Sequence, residues 1–236
     1  RRQLQMCIRD RLISHEPLLN LRWQRHLLAH GGHRADIAMA LNKAWPPIPR
    51  EGQTLKALSH GPASAMEFFD VVRARRSIRR YRRGEPVREE DLKLILEAMR
   101  LAPSAKNLQP WHVIVVRERE RKEALARAAH NQRFVADAGV VLVCLSDPRI
   151  SPKWHDKDAM IALEHAALAA TALGYGSCWV GAFDPEAVKR IVKAPEELVA
   201  VAMMAIGVPD ESPPPRPRRR LEELASSEEF GRLLEI

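Results

Sequence analysis

Four short stretches of this chain concentrate groups that bind anions or read planar rings. The first is Arg75-Arg76-Ser77-Ile78-Arg79-Arg80-Tyr81. Guanidinium forks grip phosphate oxygens two at a time, and a hydroxyl adds one more donor, so the chemistry suits a phosphorylated ligand. The second is Ala102-Pro103-Ser104-Ala105-Lys106-Asn107-Leu108-Gln109-Pro110-Trp111. Its side-chain amides each offer a donor and an acceptor, which matches the edge of a heterocycle. The third is Gly174-Tyr175-Gly176-Ser177-Cys178-Trp179-Val180-Gly181, where glycines permit close approach to a flat ligand. The fourth is Gly207-Val208-Pro209-Asp210-Glu211-Ser212 followed by Pro213-Pro214-Pro215-Arg216-Pro217-Arg218-Arg219-Arg220, a second phosphate-competent group far away in sequence. Each stretch also has a plainer reading: a solvated basic turn, a proline-flanked loop using Ser and Asn as turn residues, core burial of Cys178 and Trp179, and a stiff basic tail.

These stretches need elements to hold them. Phe68, Phe69, Val71 and Val72 recur at helical spacing and predict a helix over 66–75, ending at the first arginine cluster. Pro86-Val87-Arg88-Glu89-Glu90-Asp91 starts a second helix, with acids in the first turn and Leu92, Leu94, Ile95, Leu96, Ala98 and Met99 as its apolar face; it stops before Pro103. Buried strands are predicted over 111–116, 139–145, 176–180 and 198–206. Between them fall a charged helix over 118–129, a nearly all-apolar helix over 156–173, and a helix to Val192 opened by Asp184-Pro185-Glu186 as cap, proline and acid. The apolar helix must be central or lie at a subunit interface; its Glu164 and His165 read as satisfied polar groups, and Asp156 and Asp158 as its start. A Pro/Arg loop over 207–220 and a weak final helix complete the pattern. Strands alternating with helices give an α+β or α/β class.

Charge narrows the function classes. The net charge of +8 is concentrated at the start: residues 1–65 carry ten Arg/Lys against four Asp/Glu, the remainder 28 against 26. A nucleic-acid binder using the arginine stretches is the alternative reading, but the nearly balanced charge from Met66 onward and the lack of stacking aromatics beyond Tyr81 argue against it. The three cysteines, Cys7, Cys144 and Cys178, have no metal-like spacing, and an odd, sparse count fits a reducing cytoplasm. No apolar run approaches a membrane span, so no membrane partner is expected. No GxGxxG follows a strand, and GxxxxGK[ST], HExxH, CxxC and GxSxG are absent, which removes the usual Rossmann, P-loop, metal and nucleophile signatures. No metal is expected; His26, His30 and His33 have helical spacing but fall in the basic start of the chain. Residues 1–65 read as an extension outside the domain, disordered or artefactual in origin, and Met66 as a credible start of residues 66–236.

Taken together and in order, the four stretches resemble the nitroreductase superfamily, over residues 66–223. The resemblance implies a three-layer α/β/α sandwich, a mixed central sheet flanked by helices, binding FMN. It assigns Arg75, Ser77 and Arg79 to the FMN phosphate, Arg76 beside the pyrimidine or phosphate, and Arg216 and Arg218 as the late basic pair. Pro103, Ser104, Asn107 and Gln109 would line the flavin, with Trp179 and Gly181 approaching from the other side. It further implies NADH or NADPH as electron donor, ping-pong transfer to nitroaromatic, quinone or similar small-molecule acceptors, and a homodimer with two sites at its interface. Branches that dehalogenate or consume flavin are the alternative within enzymes. Flavin N5 would carry the chemistry, so no catalytic side chain is required. The chain departs from the pattern in having a short third-to-fourth loop, as in a compact member, and Val208 where an aromatic is usual.

Overall fold

The computed structural model describes residues 66–235. The histidine spacing and the other readings on residues 1–65 lie outside the described residues. The elements, in chain order, are α1 (Phe68–Ala74), α2 (Glu89–Arg100), a 3-10 turn (Ala105–Asn107), β1 (Trp111–Val116), α3 (Arg119–Ala128), α4 (Phe134–Asp137), β2 (Val140–Ser146), α5 (His155–Ala172), β3 (Gly176–Val180), α6 (Pro185–Val192), β4 (Val199–Gly207) and α7 (Leu221–Leu224). The sheet order is β1-β2-β4-β3. Every pairing of these strands is antiparallel, with one register shift between Cys144 and Leu145. Among the described residues the mixed character expected of the sheet comes down to a single parallel bridge, Ser77 to Ser177. Helix–strand alternation gives the α+β class but does not dictate strand sense.

Side-chain alternation along the strands builds two cores. Val140, Leu142, Cys144, Ala202, Met204 and Ile206 share one face with Leu92, Ile95 and Met99 of α2 and with the small residues of α5. Ala159, Ala162, Ala166, Ala167 and Ala170 are fully buried, so α5 lies close against the sheet. The intervening residues Val141, Val143, Leu145, Met203 and Ala205 are equally buried on the other face, toward which Leu125 of α3 and Val188 of α6 turn. The layers are therefore helix, sheet, helix. Asp184 caps α6 as its sequence requires, accepting from Glu186 N and Ala187 N at 3.0 Å each.

One apolar expectation is corrected. Leu94 is exposed, because Leu92 and Ile95 already fix the face that α2 buries. On α1 only Val71 is buried, while Phe68, Phe69 and Val72 are exposed. On α5 the alanine face is central, but Met160 and Ile161 reach the surface.

Two local devices hold the arginine segment and the start of α2. Gly176 sits where a Cβ would meet Ile78 side-chain carbons at 2.8 Å, so only glycine lets the 77–81 segment lie against β3. Tyr81 is buried beside Gly207, and its hydroxyl donates to Ile78 O at 2.7 Å, with Ala205 O at 3.2 Å. Asp91 is buried at the start of α2 and accepts from Arg88 Nε at 2.7 Å and from the Tyr175 hydroxyl at 2.7 Å. Burial pushes the Asp91 carboxyl up, but those hydrogen bonds outweigh it and hold its pKa below the usual carboxylate value.

Gly176→Ala is expected to destabilise the protein by about 1–3 kcal/mol in urea unfolding, because Ile78 must move. Gly181→Ala, with nothing within 4 Å of its Cβ position, is expected to change stability by less than about 0.5 kcal/mol. A lowered native pKa means that the stability contributed by Asp91 is present above its unfolded pKa and is lost as pH falls through the folded one. Asp91→Asn should therefore flatten the acid limb of the stability–pH profile while lowering stability at neutral pH; an unchanged acid limb would refute the linkage.

Candidate functional site

The arginine segment leaves α1 and runs along two neighbours at once. Ile78 N donates to Ser177 O at 2.9 Å on the β3 side. Arg82 N donates to Val208 O, Asp210 N to Arg80 O, and Tyr81 bridges Pro209 on the side of the chain leaving β4. The first and fourth sequence clusters, about 130 residues apart in the chain, thus become one short ribbon.

Above that ribbon opens a cavity of about 350 Å³, lined by Arg75, Arg76, Ser77, Arg79, Glu211, Pro213, Pro214, Arg216 and Arg218. This lies within the roughly 300–1,000 Å³ of small-molecule sites. All six residues assigned to the phosphate end are among its walls. Arg73, Arg80, Arg82, Arg83, Arg88, Arg100, Arg117, Arg119, Arg121, Arg149 and Arg220 each make an ion pair, whereas none of the five arginines of the cavity does so among the described residues. Arg79 instead places its guanidinium 5.9 Å from the Phe134 ring centroid. Arg76 folds back to cap α1, donating from Nη1 to Arg73 O at 2.6 Å and Arg75 O at 2.8 Å. Its Nε is buried with no partner. Convergent, unpaired guanidiniums with an orphaned donor are costly alone and suit a multivalent oxyanion. Cys178 feels these charges: burial, with a smaller push from Glu211, raises its thiol, and Arg79 and Arg75 pull it partly back.

The ring-reading residues do not line this cavity. Pro103, Asn107 and Gln109 are exposed and Ser104 half-buried in the loop between α2 and β1. That loop is braced internally: Gln109 N donates to Ser104 Oγ at 2.9 Å, and Gln109 Nε2 donates to Asn107 O at 3.0 Å. Lys106, Asn107 and Gln109 all have positive φ, between 48° and 56°, a strained choice for residues with side chains. Its anchor is Asp158, buried in the first turns of α5, whose two carboxylate oxygens each lie 3.2 Å from Ala105 N. Asp158 thus begins α5 as expected but also fixes the loop. Trp179 packs on the α5 side, its indole N–H donating to Glu164 Oε2 at 3.0 Å, and Gly181 is exposed just past β3. Glu164 and His165, which lies 3.2 Å from Ala98 O, are satisfied polar groups.

The sequence and the fold have counterparts among known proteins. The nitroreductase family model matches residues 72–138 and 123–208. The chain belongs to the nitroreductase family. An NADH dehydrogenase of Thermus thermophilus is 36% identical over 184 residues, spanning 63% of this chain and 89% of that one. An FMN reductase [NAD(P)H] of Bacillus subtilis is 31% identical over 186 residues, spanning 70% and 74%. The solved structure of the NADPH:FMN oxidoreductase of Vibrio harveyi complexed with NAD+ superposes with a TM-score of 0.65 at 25% identity, covering 71% of this chain and 79% of that one. The nucleic-acid reading is not favoured: the arginines converge in one cavity, and Tyr81, the stretch's one aromatic, is buried. Among the described residues no helix is long and apolar enough to cross a membrane, and no group of metal-binding side chains occurs.

Sequence reasoning gave no role to Glu211, which lines the cavity, nor a tertiary role to Asp158. A single acid inside a Pro/Arg run was the available signal for the first; nothing local marked the second. Asp158→Ala is expected to cost about 1–3 kcal/mol and to speed exchange of the Ala105 amide. Wild-type exchange at that amide in a folded variant would show that the loop does not depend on Asp158.

Proposed function

We propose that this chain is an NAD(P)H-dependent flavin oxidoreductase whose phosphate-binding end is the five-arginine cavity. The observation that carries the reading is the set of unpaired guanidiniums with the orphaned Arg76 Nε. Arg75, Ser77, Arg79, Arg216 and Arg218 hold the FMN phosphate, with Arg76 beside them. When bound, FMN supplies the electron chemistry, taking a hydride from NADH or NADPH and reducing nitroaromatic, quinone or similar electron-poor acceptors in a ping-pong sequence. The protein's side chains bind and orient. Asn107 and Gln109 offer amide donors and acceptors to a ring edge, and the left-handed backbone of their loop keeps them exposed. Donors held in place at the ring's pyrimidine end favour negative charge there, as in an oxyanion hole. Pro103, Ser104, Trp179 and Gly181 complete the ring end.

A homodimer supports this arrangement. The amide loop does not line the cavity of its own chain, so a second copy would bring the two halves together. Phe68, Phe69 and Val72 of α1 and Met160 and Ile161 of α5 are exposed on neighbouring helices, an apolar surface suited to a partner subunit. Free, buried Cys144 and Cys178 suit a reducing cytoplasm.

The purified chain should show flavin absorption bands that bleach on adding NADH or NADPH. Colourless protein that takes up no FMN would overturn the reading. Arg75→Ala combined with Arg216→Ala should weaken FMN binding by about tenfold or more without unfolding the protein. Unchanged flavin content in the folded double variant would refute the phosphate role.

A further inference from the structure

Arg216 and Arg218 reach the cavity from a stretch with almost no support of its own. Among the described residues, no hydrogen bond or ion pair ties 212–219 to another segment; Arg218 donates only to its neighbour Pro217 O, at 3.3 Å. The residues just before this stretch are firmly tied. Glu211 Oε1 accepts from Arg79 N at 2.5 Å and from Arg80 N at 3.1 Å, and Oε2 lies 3.7 Å from Arg80 Nε. Arg80 Nη2 also donates to Asp210 O at 3.1 Å. Two successive backbone N–H groups thus converge on one carboxylate oxygen, a charge-assisted pair of hydrogen bonds. Glu211 is therefore the last fixed point before the proline run, and it fastens that run to the segment carrying Arg75 and Arg79.

On charge alone Glu211 is misplaced, since a carboxylate in the cavity repels an incoming phosphate. Its geometry gives the compensating benefit. Pro213, Pro214, Pro215 and Pro217 stiffen the chain beyond it, so the orientation set at Glu211 is passed on to Arg216 and Arg218. We infer that Glu211 is a positioning residue, a clasp that joins the two arginine arms and so sets affinity for the phosphate end of the ligand. This rests on the phosphate reading above.

The test compares the wild type, Glu211→Ala and Glu211→Gln. Gln keeps an oxygen for both N–H groups and removes the charge. FMN and riboflavin, which differ by the phosphate alone, are titrated into flavin-free protein, and exchange of the Arg79 and Arg80 amides is followed without ligand. Glu211→Ala should bind FMN about tenfold more weakly with riboflavin affinity unchanged, whereas Glu211→Gln should bind FMN at least as well as wild type. Both amides should exchange slowly in wild type and the Gln variant and fast in the Ala variant. Equal or tighter FMN binding by Glu211→Ala would overturn the clasp, as would an equal loss for riboflavin or fast exchange in the wild type. A wild type that binds neither flavin would instead sink the functional reading. Inorganic pyrophosphate then replaces FMN as the probe, and equal affinity of wild type and Glu211→Ala for it would overturn the clasp.

Discussion

Five guanidinium groups held around one cavity repel each other, and much of the fold is arranged to keep them there. Neither arm has a scaffold of its own. The 77–82 segment belongs to no helix or strand of its own and is held because Ser177 and Ala205, on two strands, supply acceptors, and because Val208 receives its Arg82 N–H. The sheet order makes this workable. β3 and β4 are neighbours, so the chain leaving β4 and the residues of β3 present acceptors to the same passing segment. Gly176 and Gly207 then set the distance, since a side chain at either would collide with Ile78, or with Tyr81 and the Gly139 backbone.

The rigidity behind that edge comes from β2, β4 and α5. Small side chains on α5 let it approach the sheet, and long flexible ones in β4, Met203 and Met204, fill the space on both faces. Cys144 belongs to this interior; burial pushes its thiol up to about 12, which leaves it protonated and chemically quiet. The same helix carries Asp158, so the packing of α5 also determines where the amide loop sits. One buried helix thereby links the core to the amide loop, while the sheet edge holds the arginine cavity.

Strong local rules made most of the elements legible. β1 and β3 end where Pro110, charge and glycine punctuation say they should, and the Asp184-Pro185-Glu186 start of α6 forms the cap its residue types require. The arginine and Pro/Arg stretches were readable as two anion-competent groups because guanidinium chemistry is specific, and one cavity gathers them. What the sequence did not disclose depends on three-dimensional partners. The glycine at 176 makes room for Ile78, a neighbour the sequence does not reveal. Leu94 and Phe69 have apolar spacing but stay exposed, with no cover among the described residues. Asp158 looked like a helix opener because its partner, Ala105 N, lies 53 residues away. Short elements such as α4 gave no periodic signal at all.

The proline run after Glu211 also acts as a ruler. Each proline fixes its own φ, so little freedom remains to be lost when the arginines engage a ligand. A proline-rich chain in the extended polyproline form advances about 3.1 Å per residue, comparable to a hydrogen-bond length. A side-chain change at Ser212 leaves that spacing intact, whereas replacing a proline loosens it and one inserted or deleted residue moves Arg216 by a full contact distance. Family variation in this stretch should therefore spare its length and its prolines alike.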